Sequence, residues 1–393
     1  MGHPHVKTPN IDRLAAESLL FTRGYVPSSL CRPSLASIMT GLYPHQHLIT
    51  GNDPPGKAMD PQNRASMVEI FRQSKTIVGE LSDAGYVSHQ SGKWWEGECT
   101  CCGFTECMSH GDVSRGGRHG DVGLKIGRET MQPVFDFVDH AAGKPFLLWY
   151  APMMPHQPHD PPARILARYE ALHLPPAQAK YLAMVEWFDE TVGQLVAHLE
   201  RKGLADNTLF VYLADNGWVQ LEGKQTLFAT RAKLSPYDAG LRTPIFFRWK
   251  GRIAPRRDDR TLATSLDIAP TVLAAAGRKA PATWQGINVV DHGRLEKRRQ
   301  VTGANFVHTS IDIRRPSANV KYRWIVRGEW KLIVPHEPNL DLPIWEQLAD
   351  KAWSRKPELF DILRDPGEKQ DLAAARAAVV RSLLTDLDRW WTP

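Results

Sequence analysis

Three stretches carry side chains whose types suit chemistry on an anion. In "SSLCRPSLASIMTGLYPHQH", residues 28–47, Cys31 stands two residues ahead of Pro33, and the apolar segment that follows stops at Gly41. Proline is tolerated in the first turn of a helix, where its missing N–H has no partner to lose. The spacing predicts a helix opening at Pro33 with the thiol just before it. A helix N-terminus stabilises a thiolate and offers free N–H groups to an anion. Cys31 is therefore a candidate nucleophile beside an anion cradle, and a buried structural cysteine is the plain alternative. A cysteine-phosphatase loop needs an arginine six residues after the thiol; Ser37 stands there, which excludes that chemistry.

The second stretch, "TLFVYLADNG" at 208–217, ends in Asp215 and Asn216, hard oxygen donors suited to Ca²⁺ or Mg²⁺. The same tripeptide Asp-Asn-Gly is also good turn chemistry. The third, "PFLLWYAP" at 145–152, runs out into "MMPHQPHDPP", a proline-studded loop with His156 and His159. Lys93 and Lys233 acquire meaning only if they share a site with these groups.

Helices and apolar strands alternate around those stretches. "NIDRLAAESLLF" reads as a helix with Asn10 as N-cap, and "TIVGELSDAGY" as a short helix closed by Gly85 that leads into a strand at "YVSHQSGKWW". Continuous apolar runs at 145–152, 208–217 and 243–251 read as strands buried on both faces. A long helix covers about 177–202, with Leu182, Val185, Phe188, Val192, Leu195 and Leu199 three or four apart. The pattern predicts an α/β fold with a large central, mostly parallel mixed sheet flanked by helices. In such sheets reactive groups gather beyond the carboxyl ends of the strands, where all three stretches lie. Composition shifts after about residue 300, where "KYRWIVRGEWKLIV" alternates like two antiparallel strands around Gly328-Glu329. A terminal amphipathic helix follows, with Leu383 and Leu387 on its apolar face. Residues 1–300 are thus expected to form the main domain and 301–393 a small α+β subdomain.

The composition suits a globular chain of 393 residues, with 42% hydrophobic and 23% charged residues. An excess of +6 is compatible with an anionic substrate, and no basic run or basic-aromatic patch points to nucleic acid. No apolar stretch is long enough to span a membrane, and "MGHPHVKTPN" lacks the features of an export signal, so the chain taken literally is expected in the cytoplasm. Four of the five cysteines fall in "ECTCCGFTEC", from Cys99 to Cys107. Zn²⁺ binding and disulfide pairing are both open to them, but adjacent Cys101 and Cys102 are a poor spacing for a closed tetrahedral site. Reduced thiols or an export-linked disulfide are the expectation. The neighbouring "MSHGDVSRGGRHGD" reads as a flexible loop with solvated His110 and His119.

"CRPSLASIMTG" resembles the signature of the sulfatases of the alkaline phosphatase superfamily, Cys-x-Pro-Ser-Arg followed by an apolar stretch and Thr-Gly. The similarity continues in order along the chain, through "HVKTPNIDRLAAESLLFTRGYV", "GKWW", "PHQP", "ADNGW", "AKLSPYDAGLRTPIF", "SLDIAPTVLAAAG" and "PELFDILRDPGEKQDLA". The resemblance implies a formylglycine-dependent sulfuric ester hydrolase acting on a small-molecule, aryl or carbohydrate sulfate. It implies that a maturation enzyme oxidises Cys31 to formylglycine, whose hydrated aldehyde attacks sulfur and later re-forms as sulfate leaves. Asp215, Asn216 and the Cys31 product would ligate Ca²⁺ (or Mg²⁺). Lys93 and Lys233 would hold sulfate oxygens, and His156 would touch the sulfate or protonate the leaving oxygen. The alternatives are a phosphodiesterase or phosphonate monoester hydrolase of the same superfamily, and a non-catalytic anion- or glycan-binding relative.

Three departures accompany the resemblance. Leu35 stands where the family has its motif arginine, and Trp95 where Gly-Lys-Trp-His has histidine. The family's first strand, ending in paired metal-binding aspartates, lies upstream of the region matching "GHPHVKTPN". The resemblance thus implies a misassigned start or a fragment; if the true start lies upstream, an export signal is expected there and, with it, a periplasmic or secreted location.

Overall fold

The computed structural model describes residues 2–56, 60–112, 115, 121–141, 143–224, 226–344 and 353–393. The first seven strands are β1 (Leu19–Tyr25), β2 (Val87–Gly92), β3 (Glu106–Cys107), β4 (Phe146–Ala151), β5 (Phe210–Tyr212), β6 (Arg242–Arg248) and β7 (Arg256–Thr264). They form a four-stranded sheet in the order β5-β6-β1-β7 and a three-stranded sheet in the order β3-β2-β4. The pairings of β1 with β7 and of β2 with β3 and β4 are parallel, whereas β6 runs antiparallel to β1 and β5. The architecture is the expected mostly parallel, mixed α/β arrangement, set out in two sheets. Helices cover the sheets because each has an apolar stripe to bury. Ile38 of one helix and Ala269 and Leu273 of Ile268–Ala275 pack on Phe21, Ile245 and Phe247. The long helix runs Pro176–Arg201 and puts Val192 and Val196 on Leu20 and Phe246.

Strands β4 and β5 are half-buried, not enclosed on both faces as their apolar runs suggest. Each is an edge strand among the described residues. A continuous apolar run does not distinguish an edge strand from a central one. The first helix, α1 (Pro9–Ala16), also differs from expectation, because Thr8 is its N-cap. Asn10 lies inside it, and the Asp189 carboxylate accepts from the backbone N–H groups of Asn10 and Ile11, at 3.2 and 2.7 Å. The long helix thereby caps the first.

The C-terminal part adds an antiparallel sheet of β8 (Gln300–Phe306), β9 (Val320–Arg327), β10 (Trp330–Pro335) and β11 (Glu358–Asp361), ordered β11-β10-β9-β8. Arg327 pairs with Trp330 across the expected Gly328-Glu329 turn, where Gly328 takes φ 60°. The terminal helix Ala377–Trp390 buries Leu383 and Leu387 against Ile325, Leu332 and Leu359.

Two buried polar joints fix this sheet to the main body. The Lys331 ammonium sits 2.7 Å from both Asp238 Oδ1 and Glu368 Oε1, with all three side chains buried. Asp238 also accepts from the Tyr25 hydroxyl of β1, 3.2 Å away. At the other joint, the backbone of Asn52 and Asp53 pairs with His308 and Ser310, just past β8. Among the described residues no helix is long and apolar enough to cross a membrane.

Candidate active site

Cys31 opens α2 (Cys31–Thr40), two residues earlier than the proline suggests. Pro33 is still within the first turn, where backbone N–H groups have no intrahelical acceptor. The N–H of Arg32 is instead satisfied by the Asn52 side chain, at 2.9 Å. Gly41 ends the helix at φ 62°, as its type predicts.

Lys93 arrives at the carboxyl end of β2. Gly92 takes φ 88°, and a Cβ there would meet the Ala151 carbonyl oxygen at 1.9 Å. That close approach lets the Lys93 N–H donate to Ala151 O at 2.7 Å and turns its side chain into the site. Asp215 and Asn216 follow β5, held where Ala214 N donates to Thr243 Oγ1 at 2.8 Å and Gly217 N to Gly240 O at 2.8 Å. Lys233 lies in a segment fixed by Asn305 of β8. Its amide donates to Ser29 Oγ and to the Ser235 carbonyl, at 2.6 and 2.9 Å.

These elements converge. The Cys31 Sγ lies 3.1 Å from Lys233 Nζ, 3.3 Å from Asn216 Oδ1 and 3.8 Å from Lys93 Nζ. Lys93 Nζ donates to Asp215 Oδ2 at 2.8 Å. Burial opposes the Lys93 charge, but Asp215 and Cys31 outweigh it and raise the ammonium's pKa above its ordinary value. Burial likewise pushes the Asp215 carboxyl up, and Lys93 more than offsets this, so its pKa falls below the usual carboxylate range. Two ammonium groups at one corner have the charge and donor geometry to suit a tetrahedral oxyanion.

A cavity of about 200 Å³ opens over Cys31, Lys93 and Lys233, and His156 lines it. The His156 loop is held by Arg128, whose guanidinium donates to the carbonyls of Met153, His156 and Pro158 at 2.8, 2.8 and 3.0 Å. Cys31, Lys93, His156, Asp215, Asn216 and Lys233, all singled out from sequence, thus gather at one corner. His159 points elsewhere, buried against the Tyr181 ring, and burial lowers its pKa to about 4.

Trp95 and Trp218, which fall in the motifs "GKWW" and "ADNGW", also line the cavity, as do Asn52, Asp53 and His308, which carry no sequence signal. His308 comes from beyond β8, with its Nδ1 3.4 Å from Asp53 Oδ2. The C-terminal sheet therefore contributes to the pocket. Arg128 and His308 were invisible as site residues because their roles depend on chain distant in sequence.

In the cysteine cluster, Cys99 and Cys107 form a disulfide. Cys101 is exposed, whereas Cys102 is buried and its thiol is pushed up to about 12, chiefly by desolvation. Among the described residues no group of three or more His, Cys, Asp or Glu is placed to hold a metal. His110 stands 3.7 Å from Asp121, and His119 lies outside the described residues.

The family model described as Sulfatase matches residues 1–278. The chain belongs to the sulfatase family. A second model, N-sulphoglucosamine sulphohydrolase C-terminal, matches residues 223–389 of this sulfatase. N-acetylgalactosamine-6-sulfatase of Canis lupus familiaris is 25% identical over 420 residues, covering 95% of this chain and 78% of the relative. Arylsulfatase A of Homo sapiens is 25% identical over 449 residues, covering 98% and 82%. A solved structure described as in complex with its substrate D-glucosamine-2-N,6-O-disulfate superposes with TM-score 0.73 at 20% identity, covering 99% of this chain and 93% of that one. A sulfatase is a sulfuric ester hydrolase, and the fold is that of the superposed structure.

Sulfatases generally use formylglycine and a divalent metal. Position 31 fits the first, since its side chain faces two ammonium groups at a helix start. The metal fits less well. Ca²⁺ takes about six to eight oxygen ligands, whereas Asp215 and Asn216 offer two residues, and Asp215 already faces the Lys93 ammonium.

Proposed function

We propose that this sulfatase hydrolyses sulfate esters of carbohydrates, with Cys31 as the formylglycine precursor. The observation that carries the proposal is the convergence of Lys93 and Lys233 on Cys31 Sγ, at 3.8 and 3.1 Å. Formed from Cys31 by a maturation enzyme, the hydrated aldehyde supplies an oxygen nucleophile for the sulfur. The Lys93 and Lys233 ammonium groups hold the sulfate oxygens in line with position 31 and offset charge that grows as the ester bond breaks. His156, on the same cavity wall, delivers a proton to the departing alcohol oxygen. The net reaction adds water across the S–O ester bond and releases alcohol and inorganic sulfate. Asp215 and Asn216, with the group at position 31, would hold part of a Ca²⁺ or Mg²⁺ ion's coordination sphere only if further oxygen donors joined them.

A sugar sulfate is favoured as substrate because one named relative, N-acetylgalactosamine-6-sulfatase, and the matched substrate complex concern sulfated amino sugars. Trp95 and Trp218, at the cavity wall, offer flat apolar faces for a sugar ring. We take residues 1–300 as the catalytic domain and 301–393 as a subdomain that completes the pocket wall.

One observation favours a second reading. Lys93 neutralises Asp215, while Leu35 and Trp95 replace two polar residues of the family pattern, which is the state expected of a non-catalytic anion binder. Mass spectrometry of the peptide containing Cys31, with turnover of an aryl sulfate and an aryl phosphodiester, separates the readings. Formylglycine and preferred sulfate turnover, abolished in Cys31→Ala, are the expected results. Phosphodiester preference would reassign the substrate, and unmodified thiol throughout with no turnover would leave the binder.

A further inference from the structure

Arg32 follows the candidate nucleophile directly, and a cation in the first turn of a helix opposes the helix dipole. Its placement therefore demands a partner. The guanidinium is 1% exposed and forks onto Glu96, with Nε to Oε1 at 2.8 Å and a terminal nitrogen to Oε2 at 2.7 Å. Glu96 is itself 4% exposed and lies three residues after Lys93. The same guanidinium reaches the Asn52 carbonyl at 3.4 Å, while the Asn52 side chain accepts from the Arg32 N–H. Arg32 and Leu35 are one helical turn apart and border the same small gap beside Glu96. The ionic anchor of this helix face thus springs from position 32, not 35.

We propose that Arg32 and Glu96 are positioning residues that set the spacing between Cys31 and Lys93. This inference rests on the sulfatase reading of the site. A bidentate pair fixes orientation as well as distance, because both planar groups must stay coplanar to keep two bonds. Here it joins the backbone bearing the nucleophile to the backbone bearing a sulfate-holding ammonium, and neither partner lines the cavity over Cys31. A buried ion pair is a poor source of stability relative to apolar packing, whereas removing one partner leaves a buried charge. The pair's contribution is therefore read best when both charges are removed together.

The test uses the double variant Arg32→Met/Glu96→Leu, with Arg32→Lys as the charge-conserving control that loses the fork. The double variant is expected to keep its Tm within about 2 °C, while kcat on an aryl sulfate falls about 10²-fold and KM changes little. Arg32→Lys should fall between wild type and the double variant. An unchanged kcat in a double variant of wild-type Tm would overturn the inference and leave the sulfatase reading intact. If the double variant fails to fold, Arg32→Lys alone decides by the same kcat-against-KM split.

If the wild type turns over no sulfate ester, the sulfatase reading fails on its own. The spacing is then judged by iodoacetamide labelling of the Cys31 thiol, with exposed Cys101 as the internal reference. Loosening the helix start should raise the Cys31-to-Cys101 rate ratio about threefold or more, and an unchanged ratio would overturn the inference.

Discussion

Lys93 Nζ stands 2.8 Å from Asp215 Oδ2 and 3.8 Å from Cys31 Sγ, so one ammonium joins the end of β2 to the end of β5 at the candidate nucleophile. Its raised pKa keeps it charged through neutral pH. Lys93→Met should therefore lower kcat on an aryl sulfate by about 10²–10³-fold, the usual loss when one donor to a developing oxyanion is removed. It should also lower Tm, since Asp215 keeps a charge without its ammonium partner. Steady-state kinetics with a melting curve checks both. A variant with wild-type kcat would show that Lys93 only neutralises Asp215.

His47 predicts an acid-sensitive stability. Its ring contacts Ser37 Oγ at 3.0 Å and accepts from the Ile49 N–H at 3.1 Å, and burial lowers its pKa from 6.5 to about 3. The folded state holds the ring neutral, whereas the unfolded chain takes up a proton near pH 6.5. Its contribution is complete above pH 6.5 and is lost as pH falls toward the folded value. Between pH 6.5 and 5 this amounts to about 2 kcal/mol. Urea midpoints at pH 7 and pH 5 should differ less in His47→Gln than in wild type. Equal differences would assign the acid sensitivity to other groups, with His45 and His159, both lowered to about 4, as the next to replace.

Lys331 predicts a large stability loss. It lies fully buried between Asp238 and Glu368, at 2.7 Å from each. Lys331→Met leaves two carboxylates facing each other in the interior and should cost about 3–5 kcal/mol in urea unfolding. Adding Glu368→Gln should recover part of that loss by removing one of the stranded charges. A loss below about 1 kcal/mol would place this cluster among exposed ion pairs in its effect.

Much of this molecule is legible in its sequence. The long helix, the hairpin at Gly328-Glu329 and the α/β alternation follow from local period and turn chemistry, which a linear reading detects. Cys31, Lys93, His156, Asp215, Asn216 and Lys233 are legible through motifs that follow one another in a recognisable order along the chain. What sequence hides is partnership. Nothing local to Arg32 says that its charge is buried on Glu96, 64 positions away. Nothing local to His308 says that it closes a pocket with Asn52 and Asp53, some 256 positions earlier. The start of α2 is misread for a related reason: proline marks the first turn without fixing which of its residues it occupies.

The neighbours of Cys31 also arrive late during synthesis. Asn216 and Lys233 lie 185 and 202 residues downstream. At about 5–20 residues per second a ribosome needs roughly 10–40 s to deliver that length. Throughout this interval the thiol emerges on a nascent polypeptide whose enclosing walls do not yet exist. The maturation enzyme proposed for Cys31 would thus have a translation-timed opportunity to reach a side chain that the finished molecule leaves only 2% exposed.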